Sequence, residues 1–439
     1  MPIQNFSQID RTYRYWRIHL MIAMYVGYAG FYLSRKSLNY AMPALISDLA
    51  MDKNAIGLMA TLFYLTYGLS KFFSGLFSDQ ANPRYIMAIG LMMTGITNIL
   101  FGLSSSVFLF TCLWVINAWF QGWGWPACSK YLTTWYSRSE RGLWWSIWNT
   151  AHNVGGALIP LIVGYLTLHY SWRHGFIVAG IIVILISVFL LWRLPSTPDA
   201  MGLPSIGQWR HDPLELAQEK EGQDLPWRQI LRDYVFYNKY LWLLAMSYAL
   251  VYLVRTAIND WGNLYLSERY HYDLVSANSA LSLFEIGGFV GSLVAGWGSD
   301  KLFSSNRGPM ALVFAIGIFF SITALWLMPK ENMLLQSGLF FCVGFFVFGP
   351  QMLIGMAAAE CAHKKTAGTA TGFVGLFAYL GAALAGYPLA LITQTFHWTG
   401  FFVVISCCAF AIALLLLPFF KSTAKSIALL NENVRLKSV

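Results

Sequence analysis

Two arginines lie deep inside long apolar stretches of this sequence. Arg35 is sixteen residues past His19, and Arg255 is sixteen residues past Lys239. On a helix that spacing corresponds to ~24 Å, which is near the middle of a hydrocarbon core about 30 Å thick. An arginine at that depth costs roughly 2.5–3.5 kcal/mol on insertion scales. We interpret the pair as an anion clamp, with one arginine contributed by each half of a transporter.

Four further charged residues are predicted to lie within spans: Lys36, Lys71, Asp260 and Glu285. Together with the two arginines they leave a net charge of +2. A phosphate monoester carries about −1.5 to −2 at neutral pH and would neutralise that excess. A guanidinium suits this ligand because its planar fork binds phosphate oxygens bidentately and stays charged. The alternative is that the arginines only hold helices together by pairing with acidic side chains or carbonyls.

Each of the two lysines has two interpretations. Lys36 points about 100° away from Arg35 around the helix, so it either enters the pore or faces another helix, and we treat it as a second-rank contact. Lys71 is eight residues before Asp79, about 12 Å from the cytoplasmic end of its helix. At that distance its ammonium can snorkel to the interface, and a role as a site residue is the alternative.

The acidic residues are predicted to form ion pairs or gates. Asp260 and Glu285 would pair with Lys71 or Arg255 in the empty protein and loosen when substrate binds, although a permanent structural pair is an open alternative. Asp79 and Asp300 are assigned to cytoplasmic loop motifs.

His152 lies eleven residues beyond Arg141, well inside a predicted helix. Its ring can donate a hydrogen bond to a phosphate oxygen, and its titration near neutrality can tune affinity. A core histidine bonded to a neighbouring helix is the alternative. Asn149, one turn earlier on the same face, is a weaker candidate.

Five further residues could contact a sugar by aromatic packing or by a polar side-chain tip. For most of them, packing in the protein core is the competing interpretation. They are Trp125, Tyr252, Tyr379, Gln121 and Tyr32.

The composition is typical of a polytopic membrane protein. Of the 439 residues, 57% are hydrophobic and 11% are charged, whereas a soluble protein carries about 25% charge. Apolar runs of about twenty residues predict helices rather than barrel strands. The net charge of +9 is scattered over short loops, which argues against nucleic acid as a partner. The sequence shows no metal-ligand spacing, nucleotide motif or nucleophile–base pair, so we expect neither a metal, a cofactor nor an enzyme.

We predict an all-α protein with twelve transmembrane helices in two six-helix halves. The halves are residues 1–193 and 239–420, joined by a proline-rich cytoplasmic linker (194–238) with short helical pieces near 214–220, and a cytoplasmic tail follows (421–439). The predicted helices are 18–46, 54–78, 84–104, 107–136, 142–169, 173–193, 239–267, 275–299, 309–329, 333–358, 366–393 and 398–420.

Charge in the loops predicts the orientation. Of the 29 Lys and Arg residues, 21 lie in the N-terminal arm, the even-numbered loops, the linker and the tail, whereas four lie in the odd-numbered loops. By the positive-inside rule both termini face the cytoplasm of a bacterial inner membrane. The first apolar run lacks a small-residue cleavage pattern and is predicted to be a retained span.

The two halves repeat one another. Gly75-Leu-Phe-Ser-Asp79 matches Gly296-Trp-Gly-Ser-Asp300 at an offset of 221, and Arg35 matches Arg255 at 220. A Gly-Trp-Pro turn at 124–126 and a glycine-rich segment at 153–158 have counterparts at 349–350 and 379–384. In duplicated transporters the substrate site lies near the midplane between the repeats.

The G-x-x-x-D loops resemble the signature of the major facilitator superfamily. More narrowly, YGLSKFFSGLFSDQANPRY, FQGWGWPAC, WNTAHNVGGALIP, NDWGNLYL and FGPQMLIGMAAAE resemble the organophosphate:phosphate antiporters. The resemblance implies the superfamily fold and exchange of a hexose 6-phosphate for inorganic phosphate. It also implies that His152, in the WNxAHNVGG motif, contacts substrate and that Lys71 faces the pore.

A receptor is the alternative function. The linker GLPSIGQWRHDPLELAQEKEG and the stretch VYLVRTAINDWGNLYLSE resemble the sensor relatives within that family. The resemblance implies a protein that binds external glucose 6-phosphate and signals to a partner histidine kinase. Carrier and receptor need the same two conformations, so the predicted site residues do not separate them.

Overall fold

The computed structural model describes residues 6–35, 37–38, 48, 53–213, 215–216, 228, 232–272, 274–328, 332–362 and 366–420. Within these ranges the chain is helical and contains no strand. The helices of the first half of the chain are α1 (Phe6–Arg35), α2 (Lys53–Gln80), α3 (Pro83–Leu103), α4 (Val107–Gln121), α5 (Gly124–Trp135), α6 (Arg138–Asn149), α7 (Ala151–His169) and α8 (Trp172–Arg193). After α9 (Ile206–Arg210) come α10 (Lys239–Tyr270), α11 (Leu274–Lys301), α12 (Arg307–Leu327), α13 (Met333–Cys361), α14 (Ala367–Leu384) and α15 (Tyr387–Leu416).

Nine spans within the described part of the chain are long and apolar enough to cross a membrane. One of them, Val107–Trp135, comprises both α4 and α5.

Asparagine residues in two short loops cap the helices that follow them. Asn82 caps α3 by accepting a hydrogen bond from the amide of Arg84, and Pro83 occupies the first turn, where its missing N–H costs nothing. Asn332 caps α13 in the same way by accepting from the amide of Leu335.

The chain forms two compact units. The first contains Met1–Ser137, Trp148–Leu231 and His363–Leu376, and the second contains Arg138–Ile147, Arg232–Ala362 and Phe377–Val439. Within the first unit α3 and α8 approach closely at Gly95 and Gly180. A Cβ on Gly95 would lie 2.8 Å from the carbonyl oxygen of Gly180, so only glycine allows this contact.

Several predicted spans are interrupted. The predicted helix 107–136 is divided at Gly122–Trp123, and the predicted helix 142–169 is divided at Thr150. Near the end of the chain the backbone breaks between α14 and α15, and α15 is kinked at His397, where φ is 54°. The sequence has local signals at these breaks, including Gly122 with Pro126 and the polar residues around Thr150, but the length and overall apolarity of each stretch predicted one continuous span.

The first helix begins at Phe6 rather than at residue 18, because its polar start packs against the linker. The ring of Tyr13 stacks on Trp209 at 4.5 Å, and the guanidinium of Arg17 lies 5.3 Å from the same indole. Tyr136 donates its hydroxyl to the carbonyl of Arg17 at 2.6 Å. These contacts extend α1 beyond the apolar residues that defined the prediction.

The first part of the linker folds onto the first unit. Tyr131 donates to the carbonyl of Pro195 at 2.9 Å, and Asn82 donates to the Ser196 hydroxyl at 3.2 Å. The short helix α9 has a complete capping box formed by Ser205 and Gln208. The structured linker piece is therefore nearer the start of the linker than predicted, while most of 214–220 lies outside the described residues.

Candidate functional site

The side chain of Arg35 is held by neutral groups of three helices. One terminal nitrogen donates to the hydroxyl of Tyr67 at 2.8 Å, and Nε donates to the side-chain oxygen of Gln121 at 3.3 Å. The guanidinium also lies 4.3 Å from the ring centre of Tyr32 and 4.5 Å from that of Tyr67. Aromatic faces attract a cation without cancelling its charge. These contacts therefore orient the guanidinium and preserve its positive charge.

Tyr32 joins Arg35 to His152. The two rings lie 5.3 Å apart, and His152 is buried. Its Nδ1 is paired with the backbone carbonyl of Asn149. A hydrogen bond to one ring nitrogen fixes the imidazole orientation and directs the other nitrogen. Asn149 is also buried, so both predicted residues lie inside the first unit, and His152 is the one that contacts Tyr32.

Lys71 is enclosed in the same unit. Lys71 is 1% exposed, and its ammonium lies 4.7 Å from the ring centre of Trp125. Trp125 packs at 4.9 Å against Trp148, and Trp148 packs at 4.6 Å against Tyr28. Tyr28 contacts Tyr32 at 5.7 Å, which connects this group to Arg35. The predicted candidates of the first unit thus form one connected cluster of cations and aromatic rings.

The second unit builds a different environment around Arg255. Its guanidinium lies 4.6 Å from the ring centre of Phe348 and 5.7 Å from that of Tyr252. Tyr252 packs against Tyr379 at 5.4 Å and against Tyr248 at 4.9 Å. Three predicted site residues, Arg255, Tyr252 and Tyr379, are therefore brought together by α10 and α14.

The remaining charged candidates differ in their settings. Asp260 is exposed on α10 and accepts a hydrogen bond from Asn259 at 2.9 Å. Glu285 is partly exposed on α11. Pairing of these carboxylates with Lys71 or Arg255 stays a prediction. Lys36 lies outside the described residues.

Asp79 caps the start of a helix in the first unit. Its carboxylate accepts hydrogen bonds from the amides of Gly368 at 2.9 Å and Thr369 at 2.6 Å, which form the first turn of α14. The ammonium of Lys130 lies 3.6 Å from the same carboxylate. An acidic side chain is favoured at a helix N-terminus, where the unpaired N–H groups are concentrated.

Asp300 has the corresponding position in the second unit. It accepts from the amide of Leu143 in α6 at 2.7 Å and is paired with Arg307. Arg307 also binds Glu360 at 3.0 Å, and Glu360 pairs with Arg141 at 3.2 Å. The guanidinium of Arg138 lies 3.7 Å from Glu360. Glu360 therefore connects α13 to α6 and α12.

Sequence reasoning missed several of these residues. Tyr67 had a usable signal, because it precedes Lys71 by four residues and so shares its helix face. Glu360 also had one, since it is an acidic residue near the end of an apolar run. Tyr28 and Trp148 had none, because aromatic residues make up 17% of the chain.

Residues 24–386 match the Major Facilitator Superfamily. The chain is 60% identical over 412 residues to the membrane sensor protein UhpC of Escherichia coli strain K12, with 94% of each chain covered. It is 49% identical over 434 residues to a probable hexose phosphate transport protein of Chlamydia pneumoniae, with 97% of this chain and 95% of that protein covered. Among solved structures, the proton:xylose symporter XylE matches with a TM-score of 0.76 at 14% identity, covering 94% of this chain and 98% of that chain.

These findings confirm the predicted fold class and the predicted resemblance. The match to the family covers most of the sequence, including α2 to α13, and the similarity to XylE extends over nearly the whole of both chains. The protein is a multi-pass membrane protein, and the relatives named here are transport or sensor proteins rather than enzymes. The chain belongs to the major facilitator superfamily.

Proposed function

We propose that this protein binds a hexose 6-phosphate within the inner membrane and carries it across in exchange for inorganic phosphate. The observation that carries the proposal is the setting of Arg35. A permanently charged guanidinium lies in the apolar part of the chain, where Tyr32, Tyr67 and Gln121 orient it with neutral contacts. A ligand with a doubly charged phosphoryl group is complementary to such a site.

The neighbours of Arg35 suit the two parts of this ligand. The guanidinium supplies a bidentate fork for phosphate oxygens, and Lys71 adds a donor in the same unit. His152 adds a second donor in its imidazolium form, because its Nδ1 is already engaged with the Asn149 carbonyl. The rings of Tyr32 and Trp125 offer flat faces for the apolar side of a sugar. The similarity to a probable hexose phosphate transport protein of Chlamydia pneumoniae supports this choice of ligand.

Arg255 would supply the second fork. It occupies the repeat position that corresponds to Arg35, and its contacts are the rings of Tyr252 and Phe348. Joint binding of one phosphoryl group by both arginines is a prediction from the sequence repeat. Asp260 and Glu285 would act as ion-pair partners that respond to substrate.

Exchange follows from the charge of the empty site. If both guanidiniums serve one phosphoryl group, as the sequence repeat predicts, they would repel each other in a low-dielectric interior, and this repulsion would make the transition of the empty carrier unfavourable. A bound sugar phosphate or inorganic phosphate removes that penalty. Each outward step with one anion is then coupled to an inward step with another.

A sensor of external glucose 6-phosphate is the second candidate function. Its support is the 60% identity to UhpC, named a membrane sensor protein, across 94% of both chains. The same site would bind sugar phosphate, and a change in conformation would be passed to a membrane histidine kinase. A ligand shifts the conformational equilibrium only through its different affinities for the two states.

Counterflow in proteoliposomes tests both candidates. Vesicles containing only the purified protein are loaded with inorganic phosphate, and uptake of labelled glucose 6-phosphate is measured against vesicles without internal phosphate. Rapid uptake that depends on internal phosphate supports the exchanger. Tight binding of glucose 6-phosphate by the purified protein without flux supports the sensor, and absence of both binding and flux contradicts both.

A further inference from the structure

The peptide around Arg35 is fixed by one buried amide from the neighbouring helix α3. Asn98 is fully buried, and its Nδ2 donates to the carbonyl of Ser34 at 3.2 Å and to the carbonyl of Thr94 at 2.8 Å. Its Oδ1 accepts a hydrogen bond from the hydroxyl of Ser37 at 2.8 Å. Asn98 therefore binds the chain one residue before and two residues after Arg35.

The same junction reaches the guanidinium through Gln121. The amide nitrogen of Gln121 donates to the hydroxyl of Ser34 at 2.8 Å, while its oxygen accepts from Nε of Arg35. Asn117 adds a third amide, which donates to the carbonyl of Ser34 at 3.4 Å. Ser34, Asn117 and Gln121 are buried, where breaking a hydrogen bond costs more than at the surface.

We infer that Asn98 is a positioning residue that sets the direction of the Arg35 guanidinium for the phosphoryl group. This inference rests on the proposed function. A bidentate fork works only within a narrow range of distance and angle, on the order of 0.5 Å and 10–20°. Asn98 does not contact the guanidinium. It fixes the backbone that carries Arg35 and the serine that orients Gln121.

The corresponding helix of the second unit packs without the hydrogen bonds that Asn98 makes in the first. Arg84 and Arg307 are equivalent in the repeat at an offset of 223, and the same offset makes Ser321 the equivalent of Asn98. Ser321 donates only within α12, to the carbonyls of Gly317 at 2.7 Å and Ile318 at 3.2 Å. Within the described residues, the position of α12 that corresponds to Asn98 therefore makes no side-chain hydrogen bond to a neighbouring helix.

The test compares Asn98→Leu with Thr97→Val in the purified full-length protein. Thr97 is a matched control because it is buried on the same helix and its hydroxyl donates only to Met93 and Thr94 of that helix. Calorimetric titration gives the Kd and stoichiometry for inorganic phosphate and for glucose 6-phosphate. The melting temperature without ligand is measured in parallel.

For Asn98→Leu we expect the Kd to rise about ten- to a hundredfold. The rise should be equal for the two ligands, because both depend on the phosphoryl contact, and the stoichiometry should be unchanged. Thr97→Val should bind like the wild type. Ser37→Ala as a single change should raise the Kd. In the Asn98→Leu background it should raise the Kd no further, since both changes remove the hydrogen bond between Ser37 and Asn98.

A lower melting temperature of Asn98→Leu with an unchanged Kd would assign Asn98 a purely structural role and overturn the inference. A higher Kd for glucose 6-phosphate with an unchanged Kd for inorganic phosphate would indicate that Asn98 acts on the sugar rather than on Arg35. That result would also overturn the inference. Failure of the wild type to bind either ligand is a separate result. It would contradict the proposed function itself and the inference with it.

Discussion

Replacing Arg35 by lysine keeps the charge and removes the fork. The guanidinium of Arg35 donates to Gln121 from Nε and to Tyr67 from a terminal nitrogen. A lysine ammonium has three donors on one atom, so it cannot serve both neutral partners and also bind a phosphoryl group bidentately. The substitution removes at least one hydrogen bond to a charged ligand, which is worth about 1.5–3 kcal/mol.

That loss corresponds to a rise in Kd of roughly ten- to more than a hundredfold. Equilibrium binding of labelled glucose 6-phosphate to the purified protein measures it. Arg173→Lys is the matched control, because Arg173 also donates to neutral groups, the carbonyl of Gly102 at 3.1 Å and the hydroxyl of Ser105 at 2.8 Å, but belongs to the start of α8. Arg255→Lys should also weaken binding severely. A Kd for Arg35→Lys within twofold of the wild type would refute the clamp.

Three further substitutions test the site and its frame. His152→Gln should raise the Kd for glucose 6-phosphate less than Arg35→Lys does, because the glutamine amide can still donate a hydrogen bond to the ligand; an equal or greater rise in the same binding assay would reverse the ranking of these contacts. Glu360→Gln should lower stability by about 3–5 kcal/mol, since it leaves three arginines around a buried neutral group; thermal unfolding in detergent measures this, and an unchanged melting temperature would contradict it. Gly75→Val should destabilise by about 1–3 kcal/mol, because a Cβ would collide with the backbone of Gly368; wild-type yield and melting temperature would show that the helices can separate there.

The sequence predicted the fold class from bilayer thickness. Runs of about twenty apolar residues are long enough for membrane-spanning helices, so an all-helical membrane protein could be predicted directly. Arg35 was recognisable because a charge within so long an apolar stretch is rare and costly. In the structure Arg35 contacts Tyr32 and Gln121, two residues that the sequence analysis selected.

The rotation of each helix about its axis could not be predicted in the same way. In a soluble protein the polar face of a helix marks the side that points outward, but lipid and protein interior are both apolar, so that mark is missing here. Asn98 was therefore overlooked, although it lies on a helix that was predicted. The break at Thr150 was missed although Asn149, Thr150, His152 and Asn153 form a polar cluster there, because Asn149 and His152 were interpreted as site candidates within one continuous span.

The docking of the linker onto α1 has a consequence for the construction of hybrid proteins. Because Trp209 stacks on Tyr13 and Pro195 is bound by Tyr131, residues 194–210 behave as part of the amino-terminal bundle. A chimera that swaps bundles with a sugar-phosphate relative should therefore be joined after Arg210. Joining it at the end of α8 would pair each foreign linker with a surface that did not evolve to receive it.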